Sequence, residues 1–279
     1  MARSTKAKEL TWVDPLDLSG GTLLLALTGW MDGGLVSTGT VKQMMEGRDL
    51  SEVARIGAGG YYIENFPGGM EVSAIFRPEV KYKKGLIKRF EMPANLFYAD
   101  AAAKILFFLG KEPNADWDGF GRCIFEVAKK CGIRRMIFMG SFGGTVPHTR
   151  APRMFGSVSD KSLLPVLKRY GVRPSDYEGP ASFATYLTYH APAEGVEMIS
   201  LSAEIPGYLE GANPTSIEAV ARRLGGMLGV EVDLGALRTA STAWEIQVTE
   251  AVEKDEDLAK RVKELEEAYD TELLAESED

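Results

Sequence analysis

Two histidines and two cysteines are all that this chain of 279 residues offers to transition metals and thiol chemistry. His148 and His190 lack ligand spacing, and neither H-x-x-x-H nor C-x-x-C occurs, so no metal centre is expected. Cys123 and Cys131 form no such pair and no secretory leader is recognisable; a reducing, cytoplasmic setting is the expectation. No apolar run approaches the length of a membrane-spanning helix. Positive charge is in deficit. The 32 Lys and Arg against 40 Asp and Glu leave a net charge of -8, unsuited to a nucleic-acid backbone or an anionic membrane as the main partner. No internal repeat or long low-complexity linker is visible, and no cofactor is expected.

What is present suffices for a core: 45% of the residues are hydrophobic and 26% charged, the ordinary composition of a soluble globular protein, and one large α/β domain fits the length. Four apolar runs organise the middle of the chain, at residues 23–27, 105–109, 136–139 and 198–203. Three are nearly continuous, as in strands covered by helices on both faces, and the long segments between them suit crossover connections. A parallel or mixed sheet follows. A helix is expected over 117–131, where Phe120, Ile124, Val127, Ala128 and Cys131 recur at helical spacing and Gly132 stands at the C-terminal cap. Between residues 61 and 90 the pieces YYIENF, EVSAIF and GLIKRF read as antiparallel hairpins attached to the core.

The last part of the chain is helical. Asn213 and Pro214 suit the N-cap and first turn of a helix presenting Ile217, Val220, Ala221, Leu224 and Leu228. Two apolar stripes follow, one through Leu234, Leu237, Ser241, Trp244, Val248 and Val252, the other through Leu258, Val262, Leu265, Tyr269 and Leu273. They predict an αα-hairpin. The expected division is an α/β domain over 1–230 with a helical hairpin and acidic tail, 231–279, packed on it. The polar opening MARSTKAKEL is expected to be frayed and the final AESED disordered.

Ligands of open α/β sheets collect beyond the carboxyl ends of the strands. Four segments fall there: GWMDGG, GKEPNADW, GSFGGTVPHTR and EIPGY. Asp32 can cap the helix after the first, while Gly33 lets backbone approach a ligand. The glycine-rich stretch holding Ser141, Gly143 and Gly144 is no P-loop, because no lysine follows its glycines. As a nucleophile elbow it is incomplete, with Met139 where the first glycine belongs. His148 is either a general base or a hydrogen-bonding scaffold residue. Arg150 and Arg153 either bind a small carboxylate or phosphate, or tie the loop to acidic neighbours such as Asp160, Glu178 or Glu204.

GW-x-D-x-G at 29–34, FRP at 76–78, LGKEPNADW at 109–117, VPHTRAP at 146–152, YEGP at 177–180 and E-x-PGY at 204–208 occur in this order. Together they resemble the PAC2 family, the proteasome assembly chaperone 2-like proteins. The resemblance implies a three-layer α/β/α sandwich with a mixed, largely parallel sheet, similar to nucleoside phosphorylase and peptidyl hydrolase folds, and a C-terminal helical hairpin. It brings no established reaction. Some relatives are proteasome assembly chaperones, and proteasome-activating ones use a terminal hydrophobic-Tyr-x signal; here the nearest triplet, Ala268-Tyr269-Asp270, is internal. Two functions stay open. One is a non-catalytic, homo-oligomeric binding or assembly protein with a protein partner. The other is a hydrolase, phosphorylase or small-anion-binding protein using Asp32, Gly33, Ser141, Gly143, Gly144, His148, Arg150, Arg153 and Glu204.

Overall fold

The computed structural model describes residues 10–277, with side chains to Ala275. The polar opening, apart from Leu10, and the final Glu278-Asp279 lie outside these residues. All four apolar runs are strands: β2 (Thr22–Thr28), β7 (Ile105–Lys111), β8 (Arg135–Gly144) and β11 (Glu197–Pro206). They lie side by side and parallel in the order β7-β2-β8-β11. Alternate residues serve opposite cores. Leu23, Leu25, Leu106, Phe108 and Phe138 enter one; Leu24, Ala26, Phe107, Ile137 and Met139 enter the other. Apolar side chains on both faces are what a sheet between two helical layers requires.

Helix α3 (Trp117–Lys130) begins where Asp116 accepts a hydrogen bond from the Gly119 N–H at 3.0 Å and stops before Gly132, whose φ of +69° suits a glycine. It buries Phe120, Cys123, Ile124, Val127 and Ala128 beside Phe183 and Leu187 of α5 (Phe183–His190). Both cysteines are buried core residues. The opposite layer is α1 (Val36–Met45) and α6 (Pro214–Leu228), packed through Val36, Val41, Met44, Ile217, Val220 and Leu224. The result is the three-layer mixed α/β/α sandwich that the motifs imply.

The periphery differs from its sequence reading. Antiparallel strands that the runs do not reveal complete the nine-stranded sheet: β6 (Asn95–Asp100), β3 (Ser51–Ile56) and β1 (Leu10–Trp12) beyond β7, and β9 (Met154–Val158) beside β11, with the short parallel β10 (Arg173–Pro174) outermost. EVSAIF is not a strand. It forms α2 (Met70–Ile75), anchored by the Ser73 hydroxyl donating to the Phe66 carbonyl and by Phe66 stacked on Phe76. GLIKRF does belong to a hairpin, β4 (Glu79–Lys83) with β5 (Leu86–Glu91), but this forms a separate two-stranded sheet. The glycine-rich GSFGG does not lie beyond the strand end as expected. It continues β8 because β11 extends beside it as far as Pro206, opposite Gly144.

At the C-terminus α7 (Gly235–Val252) packs on α6 and turns into α8 (Glu256–Ser277). The stripes face inward through Tyr269, but Leu273 is 46% exposed and Glu272 takes the inward position. Residues 275–277, expected to be disordered, continue α8. The buried Asn213 caps α6 by accepting from the Ser216 N–H at 2.9 Å, so Asn213→Ala is expected to cost about 1 kcal/mol. Urea unfolding should show a lower midpoint at unchanged slope; an unchanged midpoint would contradict the cap's role.

Candidate functional site

The residues singled out at the strand ends fall into two clusters. In the first, Asp32 and Ser141 form a parallel bridge joining the β2 loop to β8. The Ser141 N–H donates to the Met31 carbonyl at 2.9 Å and its hydroxyl to the Gly33 carbonyl at 2.6 Å. Asp32 accepts from the Thr38 N–H at 3.0 Å and the Thr38 hydroxyl at 2.9 Å, holding the first turn of α1. Burial pushes its carboxyl pKa up against those hydrogen bonds. Gly33 lies against Ile205 and the Ser141 hydroxyl.

The second cluster gathers Gly144, His148, Arg150, Arg153 and Glu204 beneath the C-terminal hairpin. Glu204 lies directly over Gly144, where an added Cβ would come 2.2 Å from its Oε1. That oxygen accepts from the Thr145 N–H at 2.6 Å, and its Oε2 lies 3.2 Å from Arg153. The anion held by the glycine-rich segment and Arg153 is therefore the protein's own carboxylate. Gly143 serves a similar end, lying against the backbone of Gly207. Arg153 also pairs with Glu272 of α8, and its guanidinium sits 4.4 Å from the centroid of the Tyr269 ring. Glu272 reaches Arg173 at 2.5 Å as well.

Two residues upstream the same helix is gripped again. Arg150 donates to both carboxylate oxygens of Asp270 at 2.8 Å, the planar fork geometry that suits a guanidinium. Thr149 donates to Glu266, and Tyr269 donates to the Ala151 carbonyl at 3.0 Å. His148 is almost fully buried, its Nδ1 2.7 Å from the Tyr208 hydroxyl and its Nε2 3.1 Å from the Thr249 hydroxyl of α7. Burial depresses the imidazole pKa, and the charges of Glu266 and Glu245 oppose that shift. Trp244 closes over Val146, Pro147 and His148, leaving a cavity of about 10 Å³, room for at most one water.

Of the acidic neighbours expected for the arginines, Glu204 is a partner; Asp270, Glu266 and Glu272 take the place of Asp160 and Glu178. A helix that turns Glu272 inward where its apolar stripe calls for Leu273 gives little sign of this in the sequence. A second omission was legible. Along β11 the order M-I-S-L-S-A-E alternates, placing Ser200, Ser202 and Glu204 on one face, a sign that helical cover there is incomplete.

A nine-stranded α/β/α sandwich with a helical hairpin packed over part of its strand ends defines the class. The chain belongs to the PAC2 family, whose pattern it matches over residues 26–252. Comparison with curated proteins returned no match. Among solved structures, a Mycobacterium tuberculosis protein of unknown function is similar with a TM-score of 0.83 at 21% identity, over 100% of this chain and 94% of that one. The Mycobacterium tuberculosis proteasome-assembly chaperone homologue gives 0.74 at 24%, over 86% and 99%. PbaB of Pyrococcus furiosus, an archaeal proteasome activator, gives 0.64 at 20%, over 88% and 99%.

Closure of the hairpin has a definite pH dependence. His148 has a folded pKa below its ordinary 6.5, so its contribution to stability is complete above pH 6.5 and is lost as the pH falls from there through the depressed value. For Glu272, burial raises the pKa, but the hydrogen bond from Arg173 and the charges of Arg153 and Arg173 prevail and hold it below 4.5. Its contribution is complete above pH 4.5 and fades below it. Thermal melts are expected to decline first between pH 6.5 and 4.5 and again below. His148→Gln should remove the first decline; an identical profile in that variant would contradict the assignment.

Proposed function

We propose that this PAC2-family chain is a non-catalytic assembly protein of the cytoplasm that associates with further copies of itself through the arm spanning residues 66–92. The observation that carries the reading is the arm's surface. Met70, Ile75, Tyr82, Leu86, Ile87 and Phe90 are 58 to 88% exposed on a short helix and an isolated two-stranded sheet. Such a hairpin is marginal in water unless something covers it, and apolar patches of this kind mark interaction sites. Its charge indicates what covers it. Between residues 77 and 91 six Lys or Arg stand against two Glu, a net +4 on a chain of net -8. Two arms repel each other, whereas an arm and the acidic body of another copy attract.

The strand-end residues support a scaffold rather than a hydrolase or phosphorylase. His148, Arg150, Arg153 and Glu204 all have internal partners, and the space beneath the hairpin holds no ligand larger than water; Ser141, which borders a larger cleft with Gly33 and Gly143, spends its hydroxyl on the Gly33 carbonyl. In this reading the hairpin of residues 231–279 is a closing module on a body formed by residues 1–230. The proteasome enters through relatives described as a proteasome-assembly chaperone homologue and an archaeal proteasome activator. A proteasome partner of this chain would meet another surface than Ala268-Tyr269-Asp270, because Tyr269 is buried beneath Arg153. No helix among the described residues is long and apolar enough to cross a membrane.

Light scattering tests the proposal. The wild-type chain is expected at a multiple of 30.5 kDa, and the double variant Leu86→Asp, Phe90→Asp at the mass of one chain. Its melting transition should survive, since neither side chain enters a core. A monomeric wild type, or a variant that keeps the assembled mass, would overturn the self-association.

A further inference from the structure

Helical cover on the α3–α5 face of the sheet ends partway along β11. This strand has neighbours on both sides, and on its other face Ile199, Leu201, Ala203 and Ile205 are buried. On the α5 side Met198 is buried, but the next two residues, Ser200 and Ser202, are partly open. Register places Ser200 opposite Ser157 of β9, and Ser202 opposite Phe155 with Gly140 of β8 on its other side. The hydroxyls of Ser157, Ser200 and Ser202 make no hydrogen bond among the described residues. They floor a cleft of about 760 Å³.

The walls are aromatic. Trp30 from the β2 loop, Phe142 from β8, Phe155 from β9 and Tyr177 from the loop after β10 line the cleft, with Trp30 56% exposed. Four large aromatic side chains around a concave, hydroxyl-floored space have the makeup of a small-molecule site, and the volume lies within the usual range. A bare solvent-facing sheet would carry neither the concavity nor the rings.

Charge narrows the ligand. No Lys, Arg or His lines the cleft, and Asp176 is the one charged residue that does. Arg173, whose guanidinium lies 5.9 Å from the Phe155 ring, is already paired with Glu272, so a phosphate or carboxylate would lose its hydration against aromatic walls with no cation lining the cleft to meet it. Serine hydroxyls both donate and accept, and aromatic faces attract flat rings and cations. We propose that this cleft binds a planar aromatic compound carrying hydroxyl or amino groups, neutral or cationic, and rejects phosphates and carboxylates. The site uses none of the arm residues, so it stands or falls independently of the self-association.

Three probes with one indole body isolate the charge: tryptophol is neutral, tryptamine cationic and indole-3-acetate anionic. Ligand-observed NMR on the full chain is expected to show tryptophol and tryptamine binding with Kd of about 1 mM, ordinary for a ligand of a dozen non-hydrogen atoms. Indole-3-acetate should bind at least about tenfold more weakly. Ser202→Phe, which fills the floor, should abolish binding. Trp30→Ala, at an exposed position that folding does not require, should weaken it about tenfold. Equal binding of the anion, binding indifferent to Trp30→Ala, or no binding of either favoured probe would each overturn the proposal. Absent probe binding together with a changed molecular mass in Ser202→Phe would make the cleft a protein contact instead.

Discussion

Arg153 is a buried cation held from three directions: Glu204 from the central sheet, Glu272 from the last helix, and the face of Tyr269. Its side chain is 9% exposed. Taking a guanidinium out of water costs several kcal/mol unless charged partners and hydrogen bonds replace the solvent together. The strand end, the loop after β8 and the C-terminal hairpin must therefore assemble as a unit, since each supplies part of what makes the burial tolerable. Around this centre the Asp270 fork on Arg150, the Glu266 contact with Thr149 and the His148 bridge between Tyr208 and Thr249 extend the same closure along two helices.

That constraint explains how the part of the strand ends beneath the hairpin carries no open site in an enzyme-like architecture. Glycines at 143 and 144, together with Arg153, resemble a phosphate cradle in sequence. In the folded chain Glu204 occupies it, receiving the Thr145 N–H that an anion would otherwise take. Polar groups that suggest acid-base chemistry are turned instead to fastening one layer of the protein to another. Outside the fastening, the molecule exposes a basic apolar arm and a hydroxyl-floored aromatic cleft. PAC2 membership supplies the fold that carries both features.

Much of this was legible in the residues, for identifiable reasons. Strands β2, β7, β8 and β11 announce themselves because double-sided burial demands continuous apolar runs, and α3 and α6 because a single buried face demands helical spacing. The cap signals at Gly132 and Asn213 are local and act as written. Outer strands such as β3, SEVARI, were illegible because half of their residues are not fully buried and their pairing is decided by neighbours distant in sequence. EVSAIF has β-like composition but lies outside both cores, where the local contacts of Ser73 and Phe66 decide its shape. The fastening itself was half visible. Arg150 and Arg153 could be named, whereas Asp270 and Glu272, about 120 residues further on, have no signature until α8 folds back over them.

Native-state hydrogen exchange on Arg153→Gln tests the fastening most directly. If Arg153 couples the loop to the hairpin, the amides of α8, the second half of α7 and residues 145–153 should lose protection together, while β2, β7, β8 and β11 keep theirs. Unchanged protection of α8, or exchange that spreads equally through the central strands, would contradict the claim that this one buried cation holds the closure in place.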